Sequence, residues 1–121
     1  MTARRLAAIL GFLGVALGAF GAHGLKTHLA NGDPDFAVRA LEWWRTATIY
    51  HLVHALAILA TTGGDTDRAP GASDWSFTAG IAIFSGSLYA MSLGAPTWLG
   101  AVTPFGGLAL LAGWALLLRR R

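Results

Sequence analysis

The sequence predicts an all-α polytopic membrane protein: a bundle of four transmembrane helices, with a short amphipathic interfacial helix before the second span. Two observations carry this reading. Residues 6–25 and 75–118 contain no charged side chain, and uncharged runs of that length cannot all be buried in one small water-soluble core. Charged residues also make up only 12% of the 121-residue chain, with a mean hydropathy of +0.54, where a soluble domain carries about 25%.

A spanning helix needs about 20 predominantly apolar residues, and residues 6–25 fit that length. The second span, residues 46–62, is shorter but has Trp43 and Trp44 at its front edge, as an interfacial aromatic belt would. Residues 61–73 (TTGGDTDRAPGAS) are polar and rich in Gly and Pro, and so read as a loop. The third span is residues 75–93, with Ser73 or Asp74 as N-cap. The fourth covers about 98–118 and contains Pro104. Either Thr103-Pro104 opens a short helix or the proline kinks a longer one. The longer helix is favoured, because a start at Pro104 leaves about 15 residues, roughly 22 Å, against a hydrocarbon core of about 30 Å. The whole chain, 1–121, reads as one domain.

Residues 26–45 form the one long connection. Asn31-Gly-Asp-Pro34 marks a turn, and residues 35–45 form the interfacial helix, either separate from the second span or continuous with it. Phe36, Ala40, Trp43 and Trp44 are placed toward lipid, with Arg39 and Glu42 toward water.

The basic residues number nine, too few and too scattered for a nucleic-acid surface, so no nucleic-acid partner is expected. Cysteine is absent, which excludes disulfides, thiolate metal sites and dithiol redox chemistry. Arg4, Arg5, Arg68 and the arginines at 119–121 lie on one side of the four-span arrangement, and Lys26, Arg39 and Arg45 on the other. That split favours cytoplasmic termini. A cleaved signal peptide is the rival reading of the first segment. The apolar run continues past the small residues at 19–22 to Leu25, however, and four spans explain the pattern more simply.

Gly11, Gly14, Gly18 and Gly21 share one arc of the first helix, and Gly106, Ala109 and Gly113 repeat the device on the fourth. Without a hydrophobic drive between helices in lipid, small residues that admit close backbone contact hold helices together. Both stripes are therefore expected to be packing faces. A glycine-rich ligand loop would have to follow a strand, and none is predicted.

The polar interior is expected to comprise His23, His51, His54, Ser85, Tyr89 and Ser92. His51 and His54 lie three apart on one face of the second span, and His23 comes near the end of the first, with His51 its expected neighbour. Thr78, Ser85, Tyr89 and Ser92 form a stripe on the third span, with Ser87 off it. A polar ring in hydrocarbon needs a partner. His28, Glu42 and Arg45 would stand at the outer mouth, where Glu42 and Arg45 can pair. Three uses of this interior compete: interhelical hydrogen bonds that fix the bundle, a proton or ion pathway through neutral histidines, or a metal held by His51 and His54, with Glu42 as the one acid available for a third ligand. No acid stands near Ser85 or Ser87, so no catalytic residues are assigned and no enzyme is expected. No cofactor is expected either.

Four blocks, GAFGAHGL (18–25), YHLVHALAIL (50–59), IFSGSLYAMSLG (83–94) and TPFGGLALLAGW (103–114), together resemble one family of small membrane proteins. This is the family of domain of unknown function 423, whose eukaryotic relatives are the transmembrane protein 256-like proteins. The resemblance implies a four-helix protein of the bacterial inner membrane and brings no activity with it. The loop at 61–73 and the terminal arginines match no motif of the family. The expected role is an accessory or scaffolding subunit, embedded in the lipid bilayer as a homo-oligomer or within a larger membrane complex. The glycine faces motivate that expectation, as surface left over for partners. The alternatives are an oligomeric channel or proton-coupled transporter, and a metal- or cofactor-binding subunit.

Overall fold

The computed structural model describes residues 1–119, and every regular element within them is helical. Arg120 and Arg121, two of the cations counted for orientation, lie outside the described residues.

Helix α1 (Ala3–Ala22) opens on Thr2, whose hydroxyl accepts the Arg5 N–H at 3.2 Å and satisfies one of the donors that a helix start leaves free. It ends three residues short of the expected Leu25. The backbone leaves the helical region at His23 (φ −126°, ψ −66°), and a short helix, α2 (Gly24–Leu29), follows. Gly24 is needed at this break, because a Cβ there would come within 2.6 Å of the Phe20 ring.

Helix α3 (Pro34–Ala60) is capped by the Asp33 carboxylate, which accepts the Asp35 N–H at 3.1 Å. Pro34 fills the first turn, where its missing N–H costs nothing. At 27 residues α3 is about 40 Å long, and it absorbs the separate interfacial helix expected over 35–45. Ala40 and Trp44 also do not face lipid. Both are buried against Leu25 and Leu29 of α2, because the break at His23 folds α2 over the first half of α3. Phe36 and Trp43 are half-buried, with ring centroids 6.1 Å apart.

The chain turns after Thr61–Thr62 at Gly63 and Gly64, whose φ values of 56° and 92° lie in the region that favours glycine. The third rod is composite: α4 (Ala72–Gly80), a π-helical turn over Ile81–Ser85, and α5 (Gly86–Ser92). Its N-cap is Gly71, not Ser73 or Asp74. Asp74 instead stands at the third helical position and accepts the Gly71 N–H at 2.8 Å. The α-helix of the last rod, α6 (Thr103–Leu118), begins at Thr103 with Pro104 in its first turn, and a 3₁₀ turn over Thr97–Ala101 leads into it. The continuous kinked α-helix expected from 98 is thus replaced by a tighter turn and a shorter helix. Pro104 offers no N–H to an earlier carbonyl, so it sits where none is required.

The rods pack in chain order: α1 along α3, α3 along the π turn and α5, and α4 with the π turn along α6. Glycine permits the first and third of these approaches. A Cβ on Gly14 would lie 2.6 Å from Leu52, and one on Gly18 would lie 3.1 Å from Thr48. On Gly21 it would collide with Trp44, on Gly106 with the backbone of Phe84, and on Gly113 with the Phe77 ring. Gly80, outside both expected stripes, stands in the same way against Leu110. Gly11 is the exception among the expected packing residues. A Cβ there meets nothing within 4 Å. Ala3–Ala22 and Thr97–Leu118 are each long and apolar enough to cross a membrane.

Candidate functional site

The polar interior centres on the seam between α3 and the rod that ends in α5. Ser85 donates to the Ala47 carbonyl at 2.7 Å, and Ser92 shares its proton between the Ala40 carbonyl at 2.9 Å and the Leu88 carbonyl of its own helix at 2.8 Å. Both pairs are separated by the same two turns along their helices, as expected for antiparallel helices meeting every second turn. Alanine at both acceptor sites lets each hydroxyl reach the backbone. Ser87 leaves this line and faces α6, 2.6 Å from the Thr103 hydroxyl. Ser76 likewise reaches the Ala109 carbonyl of α6 at 2.7 Å. Thr78 stays on its own helix, bonded to the Asp74 carbonyl at 2.8 Å.

The two buried histidines of α3 serve different neighbours. His51, 4% exposed, places Nδ1 3.1 Å from the Tyr89 hydroxyl, which in turn lies 3.4 Å from Thr48 Oγ1. Its Nε2 turns toward α1, where the Leu10 backbone stands beside the ring, but closes no well-formed hydrogen bond. His54 is satisfied at both nitrogens. Nδ1 lies 2.7 Å from the Tyr50 carbonyl, and Nε2 accepts the Trp114 indole N–H at 3.1 Å. These partners assign the neutral ring with its proton on Nδ1. Phe77 closes the pocket, its ring centroid 5.4 Å from His54 and 5.3 Å from Trp114.

His23 does not join them. It sits exposed at the break between α1 and α2, while His51 packs near Leu10 and Gly14, much further back along α1. The expected meeting of His23 with His51 fails because Trp44 stands opposite Gly21, which sets His51 about two turns deeper. His28, Glu42 and Arg45 are all exposed. Among the described residues Glu42 and Arg45 form no ion pair, and no group of three or more His, Asp or Glu side chains is placed to hold a metal ion. The joining of Glu42 to His51 and His54 that the metal alternative needs is therefore not seen among the described residues.

A second polar cluster, missed in the sequence, closes the end of the molecule where α1 begins. Asp74 is fully buried, 2.8 Å from Arg68 Nη2, and accepts from the Thr61 hydroxyl at 2.7 Å and the Gly71 N–H at 2.8 Å. Arg68 Nη2 also donates to Thr61 Oγ1 at 2.6 Å, and the Arg68 carbonyl takes the Ala3 N–H at 2.9 Å. Burial alone would raise the Asp74 carboxyl. The Gly71 N–H, the Thr61 hydroxyl and the Arg68 guanidinium together outweigh it and hold the carboxyl below its ordinary value. This cluster latches the loop to the ends of α1, α3 and α4. The available signal was a lone acid at the edge of an apolar run, which must find a cation, and Arg68 is the one cation of the loop.

Chemically, the seam between α3 and the third rod offers neutral hydrogen bonds between helices and, at His51, one imidazole nitrogen without a well-formed bond. Ser85, Ser87 and Ser92 are committed to carbonyls or to Thr103, whereas the buried Ser73 hydroxyl meets no hydrogen-bond partner.

Comparison with known proteins agrees with the apolar character. The family described as "Protein of unknown function (DUF423)" matches residues 17–107. "UPF0382 membrane protein YwdK" of Bacillus subtilis (strain 168) is 39% identical over 117 residues, covering 93% of this chain and 89% of the relative. "UPF0382 inner membrane protein YgdD" of Escherichia coli (strain K12) is 41% identical over 115 residues, covering 93% and 82%. "UPF0382 membrane protein C1782.12c" of Schizosaccharomyces pombe (strain 972 / ATCC 24843) is 36% identical over 126 residues, covering 98% and 99%. No solved structure matches the chain. With an all-helical fold, two rods able to span a bilayer and relatives named as membrane proteins over nearly its whole length, the chain belongs to the DUF423 family of membrane proteins.

Proposed function

We propose that this chain is a four-span protein of the inner membrane, with both termini cytoplasmic, that acts as an accessory or scaffolding subunit in a homo-oligomer or a larger membrane complex. The spans are α1, the later part of α3, the composite rod over residues 75–93, and the segment Thr97–Leu118. One observation carries this reading. Apart from His51 Nε2 and Ser73 Oγ, the buried His, Ser and Thr groups of the interior are bonded to one another or to backbone and indole partners within the chain, as in a bundle held rigid by interhelical hydrogen bonds. What such a protein leaves for function is its outer surface.

The glycines no longer argue for partners, since those in contact are consumed within the chain. The support comes instead from the exposed apolar faces of α1 and α6, which include Phe12, Val15, Phe105, Leu108 and Leu111. The packing of α1 along α3 also favours a retained first span over a cleaved one. No catalysis is part of the reading. Native mass spectrometry from nanodiscs tests it: a defined multimer or a stoichiometric partner is expected, and a strictly monomeric, partner-free species would sink it.

A second reading, a proton pathway, is favoured by one feature alone, the buried His51 Nε2 that closes no well-formed bond. His51, Tyr89 and Thr48 would be its relay.

A further inference from the structure

Gly18, Gly21 and Ala22 leave a trough between the far half of α1 and the face of α3 that carries Thr48 and Ile49. The groove holds about 600 Å³, and Lys26 and Arg45 stand on its rim. Helix α1 has 20 residues, about 30 Å, which matches the thickness of a bilayer's hydrocarbon. Its far end, at Gly21 and Ala22, therefore falls where lipid headgroups begin. Trp44 packs on Gly21, so Arg45, the next residue, lies at that same level, and Lys26 lies just beyond the end of α1. Both cations are exposed, and neither forms an ion pair with any acid among the described residues. The groove is thus apolar where it faces the hydrocarbon, and doubly cationic where it meets the headgroups.

We infer that this groove is a binding site for one anionic phospholipid. Its phosphate sits between Lys26 and Arg45, and an acyl chain lies in the groove beside Ala22, Thr48 and Ile49. Charge complementarity commits the site to this occupant. A cation at an exposed membrane edge meets anionic headgroups favourably, and a zwitterionic lipid would supply the chain but not the net charge. Residues 18–21 alone would only admit a neighbour's backbone; the two unpaired cations at the same depth give the trough a headgroup end. Arg contributes a planar fork suited to phosphate and Lys a point charge. The inference rests on the spanning arrangement proposed above and is independent of the assembly role.

Lipid retention by the full-length protein in mild detergent tests this, read by native mass spectrometry with phosphatidylglycerol and phosphatidylcholine titrated separately. The expected result is one phosphatidylglycerol held roughly tenfold to thirtyfold more tightly than phosphatidylcholine, the preference that two interfacial cations supply. Lys26→Gln with Arg45→Gln should abolish that preference. Arg5→Gln, at the opposite end of α1, should leave it intact. Ile49→Trp, at an exposed position, should weaken both lipids by filling the groove without touching the charges. Circular dichroism confirms that each variant remains helical. Equal retention of the two lipids would overturn the inference, as would a preference unchanged in the double variant. Release of the lipid by millimolar glycerol phosphate would overturn it too, since the site would then bind a free headgroup. Because retention is measured on the protein whatever its oligomeric state, a failed lipid result is separate from a failed assembly result.

Discussion

The Ser85 hydroxyl donates to the Ala47 carbonyl at 2.7 Å, and this bond sets the register between the second and third rods. Ser92 repeats it two turns on, at Ala40. Because Ala47 already accepts from its own helix, the serine adds a second donor to one oxygen, and the bond's contribution is modest. Ser85→Ala and Ser92→Ala should each cost about 0.6 kcal/mol, and at most about 1.7 kcal/mol. The two are far enough apart that the double variant should show the sum. Reversible unfolding in mixed micelles measures this; a double variant as stable as wild type would show that these bonds hold nothing together.

Two glycines expected to act alike should behave oppositely. A Cβ on Gly106 would land on the backbone of Phe84, whereas one on Gly11 meets open space. Gly106→Ala should destabilise by about 1–3 kcal/mol through overpacking that no rotamer relieves. Gly11→Ala should be neutral or stabilise by up to about 1 kcal/mol, since alanine is the better helix former. The same unfolding assay reads both signs.

The latch at Asp74 predicts a pH dependence. Its folded carboxyl is held below the ordinary value, so the folded state binds this proton less readily than the unfolded chain. The resulting stability is fully present above the unfolded value of about 4 and is lost as pH falls through the lower, folded value. Midpoints measured from about pH 6 down to about pH 2 should fall in that acid window, and the fall should shrink in Asp74→Asn. Removing its partner with Arg68→Ala should cost about 3 kcal/mol at neutral pH, by leaving a buried carboxylate without its cation.

The four-span arrangement is directly checkable because the chain contains no cysteine, so any introduced thiol is unique. Asn31→Cys and Asp65→Cys lie in the first two connections, both exposed. In intact cells a membrane-impermeant maleimide should label the first and spare the second. Labelling of both or of neither, or the reverse pattern, would overturn the proposed topology.

Much of the fold was legible because lipid leaves few alternatives. The uncharged runs within Ala3–Ala22 and Thr97–Leu118 had to be helical, since only internally bonded backbone is stable in hydrocarbon. The glycines at 14, 18, 21, 106 and 113 were legible for a related reason, as the places where rods approach closely.

What was not legible depended on local geometry. Nothing in GAFGAHGL marks the break at His23, beside which the Phe20 ring covers Gly24, and that break brings α2 over Ala40 and Trp44. The π turn over Ile81–Ser85 has no sequence signature, yet it helps decide which hydroxyls face α3 and which face α6. In the site, the stripe holding Tyr89 was visible as a source of partners for the histidines, but which hydroxyl meets His51 was not, because that depends on the register between α3 and α5. The Arg68–Asp74 pair was hidden by a loop that matches no motif.

If the polar interior holds the fold together and carries nothing across it, the purified protein should be silent in a flux assay. Proton entry into liposomes containing it and a trapped pH-sensitive dye is followed from about pH 5 to about pH 8, the range over which an imidazole changes charge. Flux no greater than in protein-free vesicles is expected. A flux well above that background, abolished by His51→Gln in a protein that remains folded, would contradict the purely structural role of these side chains.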